Sequence, residues 1–151
     1  MNATAWIEHN RPMQVLIVDD DYDMLNLLAA TVKRQFGEQA CVESVADSAT
    51  AREKLDSGLI DVLVTDLSMP GITGLQLLRH AKRRNAWTQV VVVTGHSDSA
   101  AITDAMDLGA SDYLVKPIQL VELKRVLAEA AARLHRWRES LTRTLVVAET
   151  H

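Results

Sequence analysis

A single cysteine, Cys41, occurs in the 151 residues, which excludes an intramolecular disulfide and any metal site built from several thiolates. Its setting in "ACVESVA" predicts a side chain buried in a strand rather than a reactive thiol. The purely apolar runs, such as "VLIV" and "VVVV", fall far short of the roughly 18 residues that suggest a membrane span. The N-terminus also lacks the basic-then-apolar pattern of a secretion signal, so a cytoplasmic protein with no membrane partner is expected. There is no excess of basic residues: the net charge of −4 argues against a surface devoted to coating nucleic acid or an anionic membrane. Neither GxxxxGK[ST] nor GxGxxG occurs, so no nucleotide cradle is predicted. The length accommodates one domain with a tail, not two domains.

Five short stretches rich in β-branched residues are present: 14–19, 40–45, 61–66, 89–94 and 112–116. Helical patterns separate them, over Tyr22–Gln35, Ser48–Ser57, Gly74–Arg84, Asp98–Leu108 and from Gln119 onward. Gly37, Gly58, Pro70-Gly71, Gly95, Gly109 and Pro117 punctuate them. The alternation is (βα)5. Strands that are apolar almost throughout imply burial on both faces, hence a doubly wound parallel five-stranded sheet with helices on each side.

In such sheets ligands lie beyond the carboxyl ends of the strands. The strand-end residues are Asp19, Asp20, Asp66, Thr94 and Lys116. A sheet of order 2-1-3-4-5 would set the first and third strands side by side and bring three carboxylates together. Two carboxylates about 4 Å apart repel by roughly 4 kcal/mol at an effective dielectric of 20, and the usual compensator is a cation. A small open set of hard oxygen donors suits Mg²⁺, which keeps positions for water and a phosphate. A carboxylate beside such a metal can also attack phosphorus, giving an aspartyl phosphate. With a phosphoryl group on Asp66, the Thr94 hydroxyl and the Lys116 ammonium end the neighbouring strands as its donors.

"LIVDDD", "VTDLSMPGITG", "VVVTGHSD" and "GASDYLVKP" closely resemble the receiver domain of two-component response regulators, from about Val15 to Leu134. The resemblance implies the flavodoxin-like strand order 2-1-3-4-5, with Asp66 as phosphoacceptor and Asp19 and Asp20 as the acidic pair around Mg²⁺. It implies a further metal ligand in the backbone carbonyl of Ser68, and Lys116 paired with the phosphoryl group ahead of a cis Lys116–Pro117 peptide. Thr94 and Tyr113 would form the switch pair, and Gly95 would leave the phosphoryl group accessible. Ser68 and His96 are expected to set the lifetime of phospho-Asp66. The implied partners are a sensor histidine kinase or phosphotransfer protein as donor and a downstream output domain or protein. Enzymatic activity is expected to be limited to the chain's own phosphorylation and dephosphorylation.

Other readings of the same residues are weaker. Asp21 and Asp23 suit capping of the helix that begins near Tyr22. A calcium loop starting at Asp19 fails at Met24, where glycine is needed, and at Ala30, where a bidentate glutamate is needed. A phosphatase of the haloacid dehalogenase type is broken at Asp23, and the chain lacks room for its cap. A Mg²⁺-dependent phosphohydrolase of another kind and a phosphorylation-independent interaction module stand as alternatives. His9, His80, His135 and His151 lack metal-ligand spacing and are expected at the surface.

From Leu120, apolar residues fall at Leu123, Leu127, Ala130, Leu134, Trp137 and Leu141, in alternating steps of three and four. This heptad seam passes the expected end of the receiver. The expected division is an N-terminal arm over 1–12, in which Trp6 and Ile7 dock, a receiver over 13–134, and a helical linker or tail over 135–151 that frays from Leu145. Leu127, Leu134, Trp137 and Leu141 are the candidate seam for a homodimer or a linker; the competing expectation is a tail that packs back on its own domain. With about fifteen residues after the receiver, no helix-turn-helix follows, and direct nucleic-acid binding is not expected.

Overall fold

The computed structural model describes residues 11–95 and 99–149. Five strands alternate with five helices: β1 Met13–Val18, α1 Tyr22–Phe36, β2 Ala40–Val45, α2 Ser48–Ser57, β3 Val62–Asp66, α3 Gly74–Arg84, β4 Gln89–Thr94, α4 Ser99–Asp107, β5 Asp112–Val115 and α5 Leu120–Glu149. The strands form one parallel sheet in the order β2-β1-β3-β4-β5. The expected (βα)5 doubly wound architecture is therefore present, with element ends displaced by a residue or so.

Parallel strands covered on both faces have no polar face, and β3 and β4 are buried at every position. Two apolar layers result. Val15, Ile17, Val62, Val64, Val91 and Val93 pack with α1 and α5 on one face, and Leu16, Leu63, Val90 and Val92 pack with α2 and α3 on the other. The edge strand β2 behaves differently: Cys41 is exposed, against the expectation of burial, because β2 has a neighbour on one side only.

α5 runs for 30 residues and crosses Leu134 without a break, reaching Glu149 past the expected start of fraying. Leu123, Leu127, Ala130 and Leu134 are buried in the chain's own core, and Trp137 and Leu141 pack against it. The heptad spacing is thus satisfied inside the monomer. Leu127 and Leu134, two of the candidate seam residues, are thereby taken up by the chain's own core, while Trp137 and Leu141 are only partly buried. A period of three and four marks one apolar helix face without specifying what covers it.

Polar contacts fix the same helix to the amino ends of the strands. Asp61 is fully buried and accepts from the Arg11 guanidinium through both oxygens at 2.8 and 3.0 Å and from the Gln14 amide at 2.7 Å. Arg138 lies 2.9 Å from the same carboxylate, and Arg133 donates to Gln89 Oε1 at 2.7 Å. Arg11 is thereby anchored although it falls in the expected arm; Trp6, Ile7 and His9 lie outside the described residues, as does His151. Removing one member of a buried ion cluster strands the others. Asp61→Ala should therefore destabilise the protein by about 3–5 kcal/mol in urea unfolding, and Arg138→Ala by clearly less because Arg11 still neutralises Asp61.

Candidate functional site

Register creates the site. Val18 pairs with Thr65 across β1 and β3, so Asp19, which follows Val18, lies beside Asp66. Asp66 in turn pairs with Val93 on β4, placing Thr94 one step further out, and Thr94 pairs with Val115 on β5, just before Lys116. Four strand ends thus deliver two carboxylates, a hydroxyl and an ammonium to one pole of the sheet.

Asp19 and Asp66 are nearly inaccessible, at 1% and 5% exposure, whereas Asp20 is exposed. One carboxylate oxygen from each of the three lies within 4.8 Å of the others. The Lys116 ammonium donates to Asp19 Oδ2 and to Asp66 Oδ2, each at 3.0 Å. Its backbone amide donates to the Thr94 carbonyl at 2.8 Å, which ties the ends of β4 and β5 together. The other oxygen of Asp66 accepts from the Ser68 amide at 3.0 Å. Three formal negative charges therefore meet one positive charge, in a cluster open through Asp20. Hard oxygen donors at this separation fit a small divalent cation.

The loop after β1 is built by its own carboxylates. Asp19 Oδ1 accepts from the Asp21 amide at 2.9 Å, and Asp21 caps α1 by accepting from the Asp23 amide at 2.9 Å. Capping at Asp21 is as the sequence suggested; Asp23 serves as an acidic residue in the first turn instead. Asp19 is thus aimed by a backbone bond, and its carboxyl is pushed above the usual carboxylate range, chiefly by burial, despite the Asp21 amide and Lys116. For Lys116 burial works against the charge, but the bonds to Asp66 and Asp19 outweigh it and raise its pKa.

Gly74 is a positioning residue that sequence reasoning used only as a helix start. A Cβ there would lie 2.1 Å from the Asp66 carbonyl oxygen and 2.7 Å from Leu67 Cα, so α3 can approach the end of β3 only through a glycine. The available signal is a glycine directly after Thr73, whose capping box with Gln76 would accept any good helix former at that position. Gly95 is the opposite case: a Cβ would meet nothing within 4 Å, so packing does not demand glycine and the approach to the site stays open.

Tyr113 pairs with Val92, two residues from Thr94, and so shares its sheet face; the residue is 41% exposed. The Lys116–Pro117 peptide is cis. Ser68 is exposed, and His96 lies outside the described residues. His135 is at the surface, paired with Glu139, while His80 is half-buried against Asp56.

Residues 15–128 match the family model of the response regulator receiver domain, and the chain belongs to that family. It is 36% identical over 114 residues to the transcriptional regulatory protein TcrA of Mycobacterium tuberculosis, covering 74% of this chain and 43% of the relative. It is 39% identical over 105 residues to the transcriptional regulatory protein FixJ of Azorhizobium caulinodans, covering 70% and 48%. The chain thus spans less than half the length of these relatives. Among solved structures, a response regulator receiver domain protein from Clostridium thermocellum aligns with a TM-score of 0.69 at 29% identity, over 80% of this chain and 95% of that one. A CheY-like receiver domain protein from Methanospirillum hungatei, at 22% identity and a TM-score of 0.77 over 83% and 98%, shares the fold. No helix among the described residues is long and apolar enough to cross a membrane.

The raised Asp19 pKa carries a sign. A carboxyl that holds its proton more tightly when folded favours folding at acid pH, and that contribution is lost as pH rises from the ordinary carboxylate value through the raised one. In the presence of a chelator at neutral pH, Asp19→Asn should therefore stabilise the protein by about 1 kcal/mol. The gain should shrink as pH falls into the range where wild-type Asp19 takes up its proton; thermal melts of both proteins across the acid range check this.

Proposed function

We propose that the chain is a phosphorylation switch in which Asp66 accepts a phosphoryl group from the phosphohistidine of a sensor kinase or phosphotransfer protein. The observation that carries this reading is the Asp66 carboxylate itself: nearly buried, fixed through one oxygen by the Ser68 amide and through the other by Lys116, beside Asp19 and Asp20. An Asp66 oxygen forms the bond to phosphorus while the donor's nitrogen–phosphorus bond breaks, and that electron pair leaves with the donor's imidazole. Asp19, Asp20, Asp66 and the Ser68 carbonyl would hold Mg²⁺, which would supply charge neutralisation for the phosphoryl oxygens.

Lys116 holds Asp19 and Asp66 together before transfer and re-pairs with a phosphoryl oxygen afterwards. The Thr94 hydroxyl supplies the second donor, and Tyr113, on the same face, turns inward as Thr94 moves toward the phosphoryl group. Several new charge-assisted bonds of this kind are suited to a shift in a two-state equilibrium, which needs about 5.5 kcal/mol to go from 1:99 to 99:1. Ser68, Gly95 and His96 govern the access of water and hence the lifetime of the modified form. The switching unit extends over 13–134. Residues 135–151 carry its state toward an output domain or protein, moving with the receiver in their first turns because Trp137 and Arg138 are anchored to it.

Intact mass after incubation with Mg²⁺ and acetyl phosphate tests the proposal. The expected result is a labile gain of one phosphoryl group by the wild type and none by Asp66→Ala. An unmodified wild type under these conditions, or an equal gain by the variant, would overturn it; the first result favours a phosphorylation-independent interaction module. Turnover of a phosphomonoester would instead favour a phosphohydrolase.

A further inference from the structure

α3 carries more positive charge than its own contacts use. Lys82 donates to the carbonyls of Ala86 and Thr88 at 2.6 and 3.0 Å, and His80 lies 2.7 Å from Asp56, whose carboxylate and carbonyl also hold Arg84. Arg79 and Arg83 remain, one helical turn apart, with Arg52 facing them from α2. Arg52 stands four residues before Asp56, the spacing of a helical ion pair, yet Asp56 is engaged by His80 and Arg84. Among the described residues Arg52, Arg79 and Arg83 make no ion pair or hydrogen bond.

The three arginines border a groove of about 230 Å³ whose other lining includes Gln76, Ile72 and Leu77, and no carboxylate among the described residues lines it. Ile72 is half-buried and gives the groove an apolar spot beside the cations, above the fully buried Leu77. Like charges one turn apart repel, and the helix C-terminal dipole accounts for Arg83 alone, since neither Arg52 nor Arg79 lies in a last turn. Nothing within the fold is gained by placing these three side chains together.

We propose that the α2–α3 groove docks an acidic amphipathic helix of a partner protein. Carboxylates one turn apart on such a helix match Arg79 and Arg83, with Arg52 reaching from the opposite wall, and an apolar residue between them covers Ile72. Arginine suits the role because its planar fork pairs carboxylates bidentately and is enriched among the anchors of interfaces. Charge complementarity selects this occupant over nucleic acid: the chain as a whole is at −4, and a phosphate backbone offers no apolar group for Ile72. The surface lies apart from the Asp66 cluster, joined to it through the β3–α3 connection that contains Ile72.

Fluorescence anisotropy with a labelled helical peptide of glutamate and alanine, carrying leucines one turn apart, tests this. The wild-type chain should bind it saturably and less tightly as salt is added. Arg79→Glu and Arg52→Glu should each weaken binding by about tenfold or more, the loss expected of an anchor arginine. Lys33→Glu, on exposed α1 surface, should bind as the wild type does. All variants should still acquire phosphate from acetyl phosphate, which separates this surface from the phosphoacceptor site and confirms folding. Absence of peptide binding, equal binding by the arginine variants, no loss when the leucines are replaced by serine, or tighter binding of duplex DNA than of the peptide would overturn the proposal.

Discussion

Three carboxylates and one ammonium at the same pole of a parallel sheet form the constraint around which the rest of the structure is arranged. At the spacing of this cluster each like-charge contact costs on the order of a few kcal/mol at protein-like dielectric, and Lys116 alone cannot cancel three negative charges. The fold offsets the excess with directed donors. The Asp21 amide is bonded to Asp19, the Ser68 amide to Asp66, and the Lys116 amide to the Thr94 carbonyl, so that each charged group is aimed before any ligand arrives. Such a site is preorganised for added positive charge.

The opposite pole follows the same electrostatic logic with the signs reversed. There a single buried carboxylate, Asp61, gathers Arg11 and Arg138, and binds the start of β1, the start of β3 and the extension of α5 into one block. β3 therefore runs from one charged cluster to the other, with only apolar residues and Thr65 between them. A rigid strand fastened at its amino end gives Asp66 a fixed platform. The outer positions of β5, by contrast, are exposed.

The sheet and its strand-end residues were legible because a parallel sheet leaves two plain marks, continuous β-branched runs and polar residues confined to their carboxyl ends, whereas the strand order that brings those residues together rested on the resemblance to receiver domains. The position of Cys41 was not legible, since residue type does not reveal which strand lies at an edge. Nor was the fate of the last seam, because an apolar stripe ending in Trp137 and Leu141 reads alike for a partner helix and for the chain's own core. The Asp61–Arg138 pair, which joins residues far apart in sequence, fastens this part of the helix to the chain's own core. Gly74 and the three arginines of the α2–α3 groove were missed for a related reason. Their significance lies in what stands opposite them in space, a strand-end carbonyl in one case and one another in the other.

The carboxylate cluster has the donor set of a cation site made ready by the fold. Calorimetric titration of Mg²⁺ into the metal-free chain at neutral pH, beside Asp20→Ala, tests it most directly. Asp20 is the exposed member, so its removal alters charge without opening the core. The account predicts saturable binding at one site in the wild type and its loss in the variant. An absence of binding by the wild type, or equal binding by both, would contradict it.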